Sequence, residues 1–368
     1  MDYAERTMRR DPIDARQYDF ARIVLIKPSS LGDIVHALPT LSALRRRFPK
    51  AHIAWVVKRE WAEVLEGNHD LNEVVAVDLT TARGWWTAIR AVRAGKFNLA
   101  VDLQGLFRSA LLGWISEAPA HIGFAEGREG STWLYRYLVQ SSEPSLHAVD
   151  RYLLIARSLA APMEPVGPAS FPLPADPETA ARMAALVAER MGDGAGDLVL
   201  VNPSARWATK QWPPESFAAV ADELSRRGMR VALIGAPGDA PIGEEVLRHM
   251  HSASLNVAAP LNLIGQTTLK ELIAVLRLAR VVVTNDSGPM HLAAAVGTPV
   301  VALFGPTDPA KTGPYGSGHI VLRSGLPCSP CVSRDCGNPV TMECLTTIRP
   351  QQVIDSVTIL LKGDTRCP

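Results

Sequence analysis

VVVTNDSGPMHLAAA, from Val281 to Ala295, is the stretch on which the reading of this chain turns. Three β-branched residues in a row, Val281 to Val283, have the composition of a strand buried on both faces. Asn285, Asp286, Ser287 and Gly288 are turn and helix-capping residues. Pro289 suits the first turn of a helix, where its missing N–H would have had no partner. Leu292, Ala293 and Ala294 then continue as good helix formers. A strand that ends in small residues at a helix start points free backbone N–H groups at open space, a ready site for phosphate. Taken alone, the stretch also reads as an ordinary strand-to-helix turn.

The same pattern recurs in both directions. Toward the N-terminus, Arg22–Lys27, Ala54–Val57, Val74–Val77 and Leu99–Asp102 read as buried strands. Asp33 to Leu44, Trp61 to Glu66 and Trp85 to Val92 read as helices between them. A second series has strands at Leu198–Val201, Val231–Ile234, Val281–Val283 and Val300–Leu303, after a helix from Glu178 to Met191. Six prolines between Pro162 and Pro177 leave little room for regular structure and mark a linker. Alternating βα units imply parallel sheets covered by helices. Such doubly wound sheets bind ligands outside the carboxyl ends of their strands, so two joined halves are expected to face one cleft. Dehydrogenases share this logic, so the fold alone assigns no activity. The expected division is an extension over 1–20, an acceptor-side domain over 21–170, a nucleotide-side domain over 171–348 and a terminal helix over 349–368 that packs back on the first domain.

Composition bounds the partners. The 368 residues carry 38 Lys and Arg against 37 Asp and Glu, which excludes bulk nucleic-acid binding. The first twenty residues are too polar for a secretory signal peptide, and no apolar run reaches membrane-span length. The expected location is cytoplasmic, with room for a peripheral membrane contact.

The turns carry the chemistry. KPSSLGD, Lys27 to Asp33, lacks the G-x-G-x-x-G of a dinucleotide binder and places one carboxylate where strand hands over to helix. Asp33 there is either a helix-terminal cap or a general base for an attacking hydroxyl. Ser29, Ser30 and Gly32 are small enough to let a substrate approach the backbone. In NPSARWATKQWP, Asn202 to Pro213, Arg206 and Lys210 form a cationic pair suited to a diphosphate leaving group, or two solvated surface charges. Asp239, in IGAPGD, either accepts ribose hydroxyls or caps the next helix. Phe304–Pro309 supplies a fourth polar turn at a strand end. His291, one helical turn into the central helix, is a candidate phosphate donor or a packed side chain.

These residues resemble the ADP-heptose:lipopolysaccharide heptosyltransferases of glycosyltransferase family 9, in particular the heptosyltransferase I-like members. The likeness is carried by Lys27–Asp33 with His36–Pro39, Asp102–Gly105, His147–Arg151, Asp286–His291 and Phe304–Asp308, and it runs from about Arg22 to about Val357. It implies a GT-B fold, two Rossmann-like parallel-sheet domains facing a cleft, and inverting chemistry that needs no metal. By that similarity Asp33 matches the catalytic base and Lys210 the cation near the phosphates and heptose. Ser204, Asp239, Asp286, Ser287, Gly288 and His291 match contacts to ADP-heptose, with Arg206 beside them. Ser30, Gly32 and Arg128 fall on the acceptor side. The expected acceptor is a lipid-linked Kdo or heptose of the lipopolysaccharide core, at the cytoplasmic face of the inner membrane. Another acceptor, a protein hydroxyl or other glycan, keeps the family and changes the product. A non-catalytic nucleotide-sugar-binding protein is the alternative of another class, disfavoured by the presence of both Asp33 and Lys210.

Three features stand apart. Cys328, Cys331, Cys336 and Cys344 have a C-x₂-C-x₄-C-x₇-C spacing that suits a structural zinc or iron ion, with free thiols or a disulfide as the alternatives. Cys367 reads as a bystander. Met8-Arg9-Arg10 and the pair Trp85-Trp86 near Arg83 and Arg90 are candidate contacts with an anionic surface or a lipid-linked acceptor, against a solvated extension and core packing respectively.

Overall fold

The computed structural model describes residues 20–141, 143–159, 167–192, 196–251 and 259–363. Most of the 1–20 extension, the first part of the proline-rich linker and Cys367 therefore lie outside the described residues. The chain divides into two compact units, Met1–Pro174 and Ala175–Pro368.

The first unit holds β1 (Arg22–Ile26), α1 (Leu31–Arg47), β2 (His52–Lys58), β3 (Glu73–Val77), α2 (Ala82–Ala94), β4 (Leu99–Asp102), α3 (Phe107–Ile115), β5 (Ala120–Phe124), β6 (Tyr137–Val139) and α4 (Ala148–Ser158). Its six strands are all parallel, in the order β3-β2-β1-β4-β5-β6. Successive strand residues point to opposite faces. Val24, Ile26, Ala54, Val56 and Ala100 accordingly share one core with Ala88 and Val92 of α2 and Leu112 of α3. Trp85 packs against that core and donates its indole N–H to the Leu79 carbonyl, whereas Trp86 is exposed.

The second unit holds α5 (Pro177–Met191), β7 (Leu198–Asn202), α6 (Pro214–Arg226), β8 (Arg230–Leu233), α7 (Ala240–His249), β9 (Leu261–Asn262), α8 (Leu269–Leu278), β10 (Val281–Asn285), α9 (Gly288–Ala295), β11 (Val300–Phe304), β12 (Ile320–Arg323) and α10 (Pro350–Lys362), besides shorter turns. Its strand order, β12-β11-β10-β7-β8-β9, repeats the first topology. In each sheet the strand order reverses beside the first strand of the unit, between β1 and β4 and between β7 and β10. That switch point is where a doubly wound sheet opens a crevice at its carboxyl edge.

Two expectations change. The terminal helix α10, expected against the first domain, buries Val353, Ile354 and Val357 in the core of the second unit with Val199, Val283 and Phe217. An amphipathic helix settles on whichever apolar surface completes its stripe, and its sequence names no partner. Trp61 to Glu66, expected as a helix, lies largely in a short 3-10 segment, Arg59–Val64. Six residues are too few for a stable α-helix to nucleate.

Candidate active site

At the switch point of the first unit, β1 delivers Lys27 and α1 begins with Ser30 as its N-cap. Asp33 closes a capping box: the Ser30 N–H donates to its Oδ2 at 3.1 Å and the Ser30 hydroxyl to the same oxygen at 2.8 Å. The capping role is therefore real, but it occupies only one oxygen. The other, Oδ1, accepts from the Tyr152 hydroxyl at 3.1 Å, a group that α4 brings from 119 residues away. The Lys27 ammonium stands 3.6 Å from Oδ1 and 4.9 Å from the Tyr152 ring centre. Lys27 is 2% exposed, yet the Asp33 side chain is 39% exposed. A buried cation and three hydrogen bonds thus fix a carboxylate whose outer side faces solvent, leaving one of its roughly four acceptor sites for a substrate hydroxyl.

The charges follow from this packing. Burial works to raise the Asp33 carboxyl, but the Lys27 ammonium and the two Ser30 donors outweigh it and hold it well below the usual carboxylate range. Burial works to lower Lys27, but Tyr152 and Asp33 hold it above its ordinary value. Burial pushes the Tyr152 phenol up to about 12. All three are thus locked in one protonation state near neutrality. Lys27 and Tyr152 were not singled out by sequence reasoning. Lys27 was legible as an unusual charge at the end of a buried strand, whereas Tyr152 had no local signal.

Beside this, β4 ends in Asp102, which is completely buried. It accepts from the Tyr135 hydroxyl at 2.7 Å, the Ser109 hydroxyl at 2.8 Å and the N–H groups of Gln104 and Gly105. Burial raises its carboxyl, against the pull of those donors. Gly105 sits at φ +71°, in the left-handed region. Its carbonyl accepts from the Arg128 N–H at 2.8 Å and the Ser131 hydroxyl at 3.2 Å. Asp102 is therefore the tie that shapes the loop carrying the exposed Arg128. Ser30 is partly exposed and Gly32 buried.

In the second unit, the turns after β7 and β10 meet. The Asn202 amide donates to Thr284 Oγ1 at 2.9 Å and Ser287 Oγ at 2.7 Å, while the Asn285 amide donates to the Pro203 carbonyl at 2.8 Å. Lys210 Nζ donates to Asp286 Oδ2 at 2.6 Å, and Thr307 Oγ1 donates to the same oxygen at 2.6 Å. The Lys210 ammonium also lies 4.6 Å from the Trp207 ring centre. Three of the four strand-end turns expected to act together thus converge on one carboxylate. The fourth joins through Ser204, whose hydroxyl donates to Asp239 Oδ1 at 2.5 Å, while Oδ2 accepts the Ala236 N–H. Asp239 therefore also caps its turn. Ser287 precedes α9 without capping it through its side chain, so the first N–H groups of α9 are not taken by their own N-cap. Gly288 is partly exposed, His291 is buried one turn further in, and Arg206 is exposed. Asn202, Thr284, Thr307 and Trp207 join the cluster without having been predicted.

The four cysteines are free, with Cys328, Cys331 and Cys336 exposed and Cys344 half-buried. Burial pushes the Cys344 thiol up, and the other three thiols add to that. Among the described residues no group of three or more His, Cys, Asp or Glu is arranged to hold a metal ion.

The family model described as Glycosyltransferase family 9 (heptosyltransferase) matches residues 85–341. The chain belongs to glycosyltransferase family 9. Within curated proteins, this family 9 chain is 29% identical over 369 residues to Lipopolysaccharide heptosyltransferase 1 of Pseudomonas aeruginosa, covering 92% of the chain and 98% of that relative. A family 9 glycosyltransferase structure from Veillonella parvula matches it with TM-score 0.81 and 25% identity, over 98% of the chain and all of that structure. A heptosyltransferase from Escherichia coli with ADP matches with TM-score 0.70 and 24% identity, over 91% of the chain and 99% of that structure. The chain is thus a transferase-family protein of the GT-B fold, as the motifs implied.

Proposed function

We propose that this chain transfers heptose from ADP-heptose to a sugar hydroxyl of the lipopolysaccharide inner core, Kdo-lipid A or the first heptose. The observation that carries the reading is the exposed Asp33 carboxylate at a switch point, fixed by Lys27, Ser30 and Tyr152. It is joined by a second switch point with the charge and donor set a nucleotide diphosphate needs. Relatives named as lipopolysaccharide heptosyltransferases, and a related structure holding ADP, support the choice of donor and acceptor.

In this reading Asp33 orients the acceptor hydroxyl and takes its proton as the oxygen attacks the anomeric carbon, which inverts that centre. A carboxyl held so far below neutrality is a poor proton sink in the resting state. Bond formation itself acidifies the attacking oxygen, so transfer accompanies attack. The sugar–ADP bond breaks with the electron pair leaving on the diphosphate. Lys210, Arg206 and the first N–H groups of α9 meet that charge, which needs no metal ion. Asp286 and Thr307 hold Lys210 in place until a phosphate competes for it. Ser30, Gly32 and Arg128 line the acceptor side, and Ser204, Asp239, Ser287, Gly288 and His291 the donor side. Incubation with ADP-heptose, with and without Kdo-lipid A, tests this. Acceptor-dependent ADP release is expected. Absence of release with both Kdo and heptose acceptors overturns the assignment.

A structural zinc or iron ion at Cys328, Cys331, Cys336 and Cys344 is proposed on donor chemistry alone, four thiols in a zinc-like sequence spacing. No catalytic step passes through it. Metal analysis of folded, tag-free protein is the test, and a metal-free product overturns it.

A further inference from the structure

Among the described residues, the first unit leaves four large aromatic side chains in water. Trp133 is 87% exposed, Trp86 62%, Trp114 46% and Phe107 45%. Exposed apolar side chains scattered singly call for no explanation, but a contiguous group does. The elements that carry these four pack against one another. Phe107 and Trp114 lie seven positions apart on α3, with Leu111 between, on the outward stripe opposite the buried Ser109, Ala110 and Gly113. The turn Ser131–Trp133 packs beside α3. On the other side α2 packs along α3, and Arg93 of α2 pairs with Glu117 just past the end of α3. Trp86 and Arg93 are also seven positions apart, so the flank of α2 that carries Trp86 is the one turned toward α3.

Charge says what covers this band. Across α2 and α3 there are four arginines, Arg83, Arg90, Arg93 and Arg108, and no acidic residue. The acids at its margin are engaged: Asp78 by Thr80 and Thr81, Glu117 by Arg93, and Glu129 by the Phe107 N–H at 3.3 Å. The whole chain is nearly neutral, so this local excess is a property of one face. Indole rings among arginines on adjacent helices are what an anionic lipid interface takes up, the rings at headgroup depth and the guanidinium groups on phosphates. No helix among the described residues is long and apolar enough to cross a membrane, so the contact is one of lying on the surface.

Position gives the contact its use. In parallel βα units the helices run back against the strands, so the N-termini of α2 and α3 lie at the carboxyl edge of the sheet. Trp86 and Phe107 stand at those N-termini, on the edge that presents Asp33. We infer that the α2–α3 face with Trp133 seats the first unit on an anionic bilayer, so that a lipid-linked acceptor meets Asp33 from the headgroup layer. This extends the proposed acceptor to its physical setting and rests on that reading.

Co-sedimentation with vesicles, without donor or acceptor, tests the surface by itself. Wild-type protein is expected to bind vesicles of phosphatidylcholine with about one-third phosphatidylglycerol, to lose that binding in high salt, and to bind pure phosphatidylcholine far less. The double variants Trp114→Ser/Trp133→Ser and Arg90→Glu/Arg108→Glu are each expected to weaken binding about tenfold or more. Their ADP release with a soluble, delipidated acceptor should match wild type, which shows that they are folded. Equal binding to neutral and anionic vesicles, or wild-type binding by both variants, overturns the inference. Inhibition of vesicle binding by soluble glycerol phosphate at millimolar level also overturns it, because that would mark a site for a free anion. Vesicle binding reads the surface and ADP release reads the chemistry, so either reading can fail alone.

Discussion

Asp33 is held by Ser30, Tyr152 and Lys27, and that arrangement sets what its removal does. Asp33→Asn should lower turnover by about 10²–10⁴, the usual worth of one general base. Wild-type turnover in a folded variant would remove Asp33 from the chemistry. The variant also leaves the buried Lys27 ammonium without its carboxylate. Because Asp33 is 39% exposed, solvent screens much of that loss, and about 1–2 kcal/mol of stability is expected to go, read by denaturant unfolding. Its depressed carboxyl contributes stability above the ordinary carboxylate range and loses it only as pH falls through the lower folded value. Turnover should therefore show no acid limb from Asp33 between about pH 5 and 8. His121 behaves differently. Burial pushes its imidazole down to about 4, only partly opposed by the Leu134 carbonyl. As pH falls from about 6.5 toward 4, the unfolded chain takes up a proton that the folded chain refuses. Stability falls by up to about 1.4 kcal/mol per pH unit. His121→Gln should flatten that dependence, and parallel stability–pH profiles for the two proteins would refute it.

At the scale of elements, the central strands announced themselves and the edges did not. β1, β7, β10 and β11 are runs of Val, Ile and Leu because both faces are buried. The edge strands β6, β9 and β12 escaped the sequence because such strands need no continuous apolar run, and the interior strand β5 escaped it because His121 and Gly123 interrupt its apolar run. The turns were read correctly as polar, but their partners were not legible. Trp212 illustrates this. It is fully buried, meets the Phe217 ring edge-on at 5.0 Å and donates twice. Its N–H goes to Asn285 Oδ1 at 3.0 Å and its indole N–H to the Ile348 carbonyl at 3.1 Å, tying β10 and the approach to α10 to α6. Trp212→Ala should cost about 3–5 kcal/mol in chemical unfolding. A loss under about 1 kcal/mol would mean that α10 does not depend on this anchor.

For the whole molecule, one topology is used twice, and the proposed reaction takes its base from the first copy and its donor site from the second. ADP should therefore slow amide exchange in the second unit, around Asn202–Lys210 and Asn285–His291. At a hundredfold excess over its dissociation constant it adds up to about 2.7 kcal/mol of protection. Protection confined to the first unit, read by exchange mass spectrometry, would reverse the donor assignment. The sequence by itself determined the two βα series and the turns that hold Asp33, Lys210 and Asp286. Apolar periodicity and turn chemistry are local properties, written in consecutive residues. Only the tertiary structure decided that Tyr152 and Lys27 fix Asp33, that Thr307 shares Asp286 with Lys210, that α10 belongs to the second core and that the elements carrying four exposed aromatic residues pack together. Those depend on which segments burial brings together, over separations such as the 21 residues from Asp286 to Thr307 and the 119 from Asp33 to Tyr152, and no local pattern encodes that choice.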